Sequence, residues 1–304
     1  MESMPADEQS VISISPAANG VFVQGDGFVS QPQSEVSGTD FDLLLFCSMP
    51  LDRSQLSVDF SSAYDRQAHP DPELEQAINK IWDQRVAAQP SLFNGTKFRV
   101  SEVGRSDLRL LAVYFPYGGF RRVQDPESKL PTKVSLCLGL TDHRTFVGTN
   151  LSSNWPAFLV PSEDDVEKCK HTADPLGNAA IVETADLQIV VLQRSADASL
   201  REVVEETGIP ASSLSDPLFI GCSRRRQNVR PATFFYLKTA LTSAQVLSNY
   251  QHAEHSYEST ALYTLTPEEL VEAAKRMPGC HRGGAALYQL LREYGSKPWL
   301  VTPP

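Results

Sequence analysis

The chain has 304 residues, 41% of them hydrophobic and 21% charged, which is typical of one large or two ordinary folded domains. Its 27 Lys and Arg against 37 Asp and Glu give a net charge of −10, which argues against a broad surface for nucleic acid or anionic membrane. Residues 1–8 lack the basic and apolar regions of a signal peptide, and no apolar run approaches the length of a membrane span.

The cysteines are odd in number, widely spaced and never arranged as Cys-x-x-Cys: Cys47, Cys137, Cys169, Cys222 and Cys280. This pattern predicts neither a disulfide framework nor a zinc site, and it suits a reducing compartment. We therefore expect a cytoplasmic protein.

The first part of the chain divides into a tail and a folded region. Residues 1–40 are rich in Ser, Gln, Gly, Pro and Val without helical periodicity, and we expect a disordered tail. Residues 41–47 form an apolar run of strand length. A helix should begin after the N-cap Asp71, with Pro72 in its first position, and end near Ala88.

Further strands are predicted at residues 108–115 and 134–140. Residues 138–150 mix glycines with polar residues, which indicates either a functional loop or an ordinary connection between strands. An acidic stretch at residues 162–167 suggests a boundary. We expect an N-terminal α+β domain at 41–165 and a second domain at 166–304.

The second region alternates strands and helices. Residues 179–183 and 187–192 should pair about a turn at 184–186, and further strands are expected at 218–220 and 232–237. One helix should follow the capping box of Thr266 and Glu269, and another should run from about Ala285 to Tyr294. The fold class is mixed α/β or α+β.

Residues 199–210 predict a helix with defined ends, because Ser199 and Glu202 form a capping box while Gly208 and Pro210 stop the helix. At about 100° per residue, one side carries Leu200, Val203, Val204 and Thr207. The other side carries Glu202, Glu205 and Glu206. Clustered carboxylates suit Mg²⁺ or Mn²⁺, although a solvated acidic face is the alternative.

Residues 201–209, Arg-Glu-Val-Val-Glu-Glu-Thr-Gly-Ile, match every defined position of R-E-U-x-E-E-x-G-U, the second half of the Nudix box. The chain thus resembles Nudix hydrolases, in particular a branch with animal UDP-glucose and UDP-galactose hydrolases and a plant member. This similarity covers about residues 41–270, and its further matching stretches are 64–71, 81–85, 91–94, 97–99, 138–141, 146–150, 174–177, 223–231 and 258–260.

The resemblance implies an α/β/α sandwich with an additional mixed N-terminal domain. It also implies a helix that carries Mg²⁺ or Mn²⁺ on Glu202, Glu205 and Glu206, with Arg201 holding the glutamates in place. Glu258 would be a further metal ligand or base, and the alternative for Glu258 is an ordinary surface acid.

The first half of the box, G-x5-E, is missing. Its Gly and Glu should stand at positions 187 and 193, where the chain has Leu187 and Gln193. Only residues 194–198 separate the preceding strand from the helix cap, so we infer that several dozen residues are absent here. The lost glycine-rich loop would have oriented the glutamate helix and approached phosphate.

A dense positive cluster at residues 224–230 contains Arg224, Arg225, Arg226 and Arg230. Guanidinium groups suit a diphosphate, although a solvated hairpin loop is the alternative. Lone histidines such as His69, His143 and His171 favour structural roles.

Two functional hypotheses remain. The resemblance implies a Mg²⁺-dependent hydrolase that cleaves the diphosphate of UDP-glucose or UDP-galactose, with a small nucleotide sugar as its partner and neither nucleic acid nor membrane. The alternative is a catalytically impaired or inactive isoform that only binds nucleotides. The absent half of the box is the feature that separates them.

Overall fold

The computed structural model describes residues 9–11, 40–104, 134–162, 164–194, 204, 207–251 and 259–295. The strands of this part of the chain are β1 Gln9–Val11, β2 Phe41–Leu51, β3 Leu56–Phe60, β4 Thr96–Gly104, β5 Val134–Asp142, β6 Gly177–Glu183, β7 Ile189–Arg194, β8 Leu218–Arg225, β9 Pro231–Lys238 and β10 Ser259–Leu265. The helices are α1 Pro72–Ala88, α2 His143–Gly148, α3 Asp165–Lys168, α4 Ser243–Tyr250, α5 Pro267–Ala274 and α6 Gly279–Gly295.

The strands form a large and a small sheet. The large sheet has the order β10-β7-β6-β9-β8-β2, and β1 lies beside β6. The small sheet has the order β3-β5-β4, with β3 parallel and β4 antiparallel to β5.

Helices cover both faces of the large sheet. Since side chains alternate along a strand, Ile181 and Val182 point to opposite faces. Ile181 packs in a core with Leu287 and Tyr288 of α6, whereas Val182 packs with Ile209 and Val246 of α4. This three-layer arrangement confirms the expected mixed α/β class.

A third core joins the two sheets. Leu45 of β2, Leu136 of β5 and Phe219 of β8 are buried together in it. Strand β2 was expected in the N-terminal domain, but it pairs with β8 at the edge of the large sheet. The boundary at residue 165 remains a prediction. Residues 41–51 lie before that boundary but belong to the sheet formed mainly by residues after it.

Several local predictions are confirmed. Helix α1 begins after Asp71, whose side chain accepts a hydrogen bond from the Glu73 amide, and it ends at Ala88. The capping box of Thr266 and Glu269 starts α5. Helix α6 begins at Gly279 and not near Ala285, and the turn at residues 184–186 joins β6 to β7.

Other segments differ from expectation. Residues 138–150 contain the end of β5 and helix α2, which Asp142 caps by accepting a hydrogen bond from the Thr145 amide at 2.7 Å. Within the predicted tail, Gln9–Val11 form β1. The predicted strand at 108–115 lies outside the described residues. None of the described helices is long and apolar enough to cross a membrane.

Candidate functional site

The glutamate helix is only partly described. Arg201, Glu202, Glu205 and Glu206 lie outside the described residues, and so does Glu258. Val204 and Thr207 are helical, and the Gly208 amide donates to the Val204 carbonyl at 2.9 Å. The metal-binding role of the three glutamates therefore stays a prediction.

The described end of this helix corrects the predicted apolar face. Thr207 is fully buried as expected, but Val204 is 37% exposed. Residues three apart on a helix point about 60° from each other, so Val204 can lie at the margin of the buried side that contains Thr207. The predicted apolar side was therefore too wide at Val204.

The helix stop is confirmed. Gly208 has φ 70°, the left-handed conformation that glycine adopts readily at the end of a helix. Ile209 then turns inward and packs with Val190 and Leu192 of β7. The end of the glutamate helix is therefore fixed on the sheet face to which Val190 and Leu192 point.

The positions at which the first half of the box should fall are not part of a loop before the helix. Leu187 lies in the turn between β6 and β7 with φ 61°, not in a strand as predicted, and its side chain is 61% exposed. Gln193 lies within β7, which continues to Arg194. Neither position can supply the glycine-rich loop.

The arginine cluster includes an internal counter-ion. Arg224 lies at 3.3 Å from Asp42 of β2, and the Nε of Arg226 donates to the same carboxylate at 2.7 Å. Arg225 hydrogen-bonds Gln227. Strand pairing between Asp42 and Arg224 brings these charges together. Asp42 thereby neutralises part of the predicted phosphate site.

Arg230 has a different environment. Its guanidinium lies 5.2 Å from the ring centre of Phe146 on α2, within cation–π range. Val229 precedes it with φ 53°, an uncommon conformation for a β-branched residue. The loop from β8 to β9 thus places Arg230 against the N-terminal part of the chain.

Asn150 anchors this loop through buried hydrogen bonds. Its Nδ2 donates to the Asn228 carbonyl and to Oδ1 of Asp174, both at 2.8 Å, while its Oδ1 accepts from the Ala173 amide at 3.0 Å. Asn150 is 1% exposed, so losing these bonds would leave buried groups unpaired. Asn150 therefore connects α2 to the arginine loop.

Asp174 is the buried charge in this network. Burial raises the pKa of Asp174 above its usual value, although Arg99 at 3.7 Å and hydrogen bonds from Asn150 and Thr172 act in the opposite direction. Arg99 also donates to the carbonyls of Thr172 and Cys169, and its burial lowers its own pKa. These bonds hold the segment that leads into β6.

Sequence reasoning included Asn150 and Asp174 in matching stretches but did not identify their roles. No local signal could have done so, since Asn150 and Asn228 are 78 positions apart. His171, for which a structural role was expected, is buried, and its Nδ1 lies 3.0 Å from the Gln67 carbonyl.

The chemistry of the glutamate set fits a hard divalent cation, because carboxylate oxygens are preferred ligands of Mg²⁺ and Mn²⁺. The described helix end supports this fit, since one side is buried at Thr207 while Val204 remains accessible. Among the described residues, no group of three or more His, Cys, Asp and Glu side chains is arranged to hold a metal. None of the five cysteines, all of which are described residues, forms a disulfide bond.

The chain is similar in sequence to several known proteins. The chain is 44% identical to Nudix hydrolase 9 of Arabidopsis thaliana over 303 aligned positions, covering 84% of this chain and 92% of that protein. It is 29% identical to uridine diphosphate glucose pyrophosphatase NUDT22 of Homo sapiens, covering 84% and 93% respectively. The Bos taurus form is 30% identical over 73% of this chain and 86% of that protein. No family model matches the chain.

Proposed function

This chain belongs to the Nudix hydrolase family, and on that premise we propose that it cleaves the diphosphate of UDP-glucose or UDP-galactose to UMP and sugar 1-phosphate. The complete second half of the Nudix box at residues 201–209 is the observation that carries the proposal. The relative named a uridine diphosphate glucose pyrophosphatase supports the substrate class.

Glu202, Glu205 and Glu206 would hold Mg²⁺ or Mn²⁺, with Glu258 as a further ligand or base. When bound, the metal neutralises charge on the diphosphate and makes a water molecule more acidic. Arg201 would hold the glutamates in place. The three glutamates repel one another in the absence of a cation, so the helix should be more stable with metal than without it.

The arginines of the β8–β9 region would contact the diphosphate. Arg224 and Arg226 share the carboxylate of Asp42, so binding a phosphate there requires competition with that charge. Arg230 contacts the neutral ring of Phe146 and follows the loop segment that Asn150 anchors. Guanidinium groups suit the charge and geometry of a diphosphate.

We propose further that catalysis is impaired because a segment between β7 and the glutamate helix is absent. The alignment with the plant relative runs over 303 residues but covers only 84% of this 304-residue chain, which supports the absence of a segment. Only nine residues separate Arg194 from Val204, which is too few for a further strand and a glycine-rich loop. Retained glutamates without that loop would be poorly oriented.

The second candidate function is nucleotide binding without turnover. Leu187 and Gln193, which occupy the positions of the missing Gly and Glu, favour this alternative. The arginine region and Asn150 are present in either case, so UDP binding alone does not distinguish the two functions.

Product analysis distinguishes them. The chain at high concentration is incubated with UDP-glucose and Mg²⁺, and UMP and glucose 1-phosphate are quantified by chromatography beside Glu206→Gln and an EDTA-treated sample. We expect slow, metal-dependent release that Glu206→Gln abolishes. No release above the Glu206→Gln background, with UDP still bound, would support the binding function. Release that Glu206→Gln leaves unchanged would exclude the glutamate helix as the active site.

A further inference from the structure

The large sheet opens between β6 and β7. Strand β6 pairs with β9 from Gly177 to Glu183, and β7 pairs with β10 from Ile189 to Arg194. Among the described residues, however, β6 and β7 pair with each other only at Glu183 and Ile189. The two strands of this hairpin therefore diverge beyond their turn, and we call the space between them the β6–β7 space.

The strands beside the β6–β7 space belong to the interior of the protein. Ile181 and Val182 of β6 and Val190 and Val191 of β7 are all fully buried. Main-chain amide and carbonyl groups along an open edge here would lack partners in a region largely screened from water. The sheet therefore requires an additional strand between β6 and β7.

Strand β1 lies in this position. Gln9–Val11 run parallel to Asn178–Ala180 of β6, next to the open edge. The sequence at residues 10–14, Ser-Val-Ile-Ser-Ile, is rich in β-branched residues and is followed by Pro16. Such residues favour strands, and proline limits the extension of a strand.

The stretch of chain between β1 and the rest of the protein is long. Residues 12–39 link β1 to Asp40 and could span roughly 90 Å when extended, which exceeds the diameter of a domain of this size. The linker therefore does not force β1 into the β6–β7 space. Its position must come from pairing with β6.

We propose that the β6–β7 space is an acceptor site for one extended strand, recognised through main-chain hydrogen bonds, and that the chain's own N-terminal strand β1 occupies it. Main-chain pairing of an added strand with an open sheet edge is an established mode of peptide recognition. Because Val182 and Val190 pack with Ile209, an occupied acceptor site also stabilises the sheet face on which the glutamate helix ends. This inference does not depend on hydrolysis.

Paired proline substitutions test the proposal in the full chain. Gln9→Pro with Ser10→Pro should block strand pairing, because proline has no amide proton and cannot join a central strand. Ser30→Pro with Gln31→Pro introduces the same changes at the same residue types outside β1. Hydrogen exchange of the amides at residues 178–182 should accelerate at least tenfold in the first variant and stay within twofold of the original chain in the control.

A peptide of residues 7–15 provides the converse test. Added in millimolar excess to the Gln9→Pro/Ser10→Pro variant, it should restore slow exchange at residues 178–182, whereas a scrambled peptide should not. Equal exchange in the two proline variants would overturn the proposal that β1 occupies the site. Failure of the peptide to restore protection would overturn the proposal that the site accepts an extended strand.

Discussion

Asp42 controls the charge of the arginine region. Its carboxylate is 24% exposed and contacts both Arg224 and Arg226, while Asp40, two residues earlier, pairs with Arg282 of α6. The two aspartates thus lie close in sequence but serve different cations. This makes them a matched pair for testing whether the arginine region binds phosphate.

We predict that Asp42→Asn binds UDP more tightly although it is less stable. Removing one negative charge beside the arginines should favour an anionic ligand by on the order of 1 kcal/mol, or about fivefold in Kd. The lost ion pairs should reduce the free energy of unfolding by about 1 kcal/mol. Calorimetric titration with UDP and urea unfolding measure the two effects.

Asp40→Asn is the control for this prediction, because it also removes one ion pair and one negative charge but acts on Arg282. Its UDP affinity should change less than that of Asp42→Asn. Equal affinities in the two variants would show that Arg224 and Arg226 do not contact the diphosphate.

At the scale of elements, local signals predicted the helices with marked ends, and long-range pairing was not predictable. Asp71 with Pro72, Thr266 with Glu269, and Gly208 each act within one helical turn, so the sequence alone locates them. The Asp42–Arg226 contact joins residues 184 positions apart, and β1 pairs with a strand far along the chain. Such contacts depend on packing that no local pattern encodes.

The short helices α2 and α4 were also not predicted from the sequence. Asp142 caps α2 and Thr242 caps α4, so the signals were present, but glycines and polar residues concealed the helices that follow. The start of α6 was placed too late because Gly283 and Gly284 reduce helix propensity. In the structure these glycines are buried, and they permit close packing of α6 against the sheet.

The turn between β6 and β7 is fastened to the start of α4 by Asp186. Its carboxylate accepts hydrogen bonds from the Ser243 hydroxyl, the Thr184 hydroxyl and the Ser243 amide. These bonds, led by the one from the Ser243 hydroxyl, lower the pKa of Asp186 to about 2. Asp186 therefore contributes stability above the usual carboxyl pKa of about 3.9, and this contribution is lost as the pH falls toward 2.

Asp186→Asn should accordingly be less stable than the original chain at pH 7, by up to about 1 kcal/mol because the site is exposed and screened. The difference should remain constant down to about pH 5 and narrow below about pH 4. Urea unfolding at pH 7, 5, 4 and 3 measures this, with the exposed Asp216→Asn as control. A difference independent of pH would show that the carboxylate charge is not what fastens the turn.

At the scale of the whole molecule, the small sheet, the large sheet and the arginine loop form one connected structure. The core that contains Leu45, Leu136 and Phe219 joins the sheets, and Asn150 with Asp174 joins α2 to the loop that carries Arg230. This scaffold carries the arginines that we propose to contact phosphate, and these contacts among the described residues involve no residue between Arg194 and Val204. We expect the orientation of the glutamate helix to depend on the absent glycine-rich loop, so the loss of that loop should reduce catalysis more than binding.

The most direct test of the proposed impairment is to compare the turnover of UDP-glucose by two forms of the protein. One is the chain as it stands, and the other carries the glycine-rich loop and its Glu between Arg194 and Ser199. With Mg²⁺, we expect at least about hundredfold slower release of UMP by the shorter chain, since a misplacement of about 1 Å at the reacting groups can cost that much. UDP binding should weaken far less. Equal turnover by the two forms would show that the glutamate helix is correctly oriented without the loop, and that the absent segment does not impair catalysis.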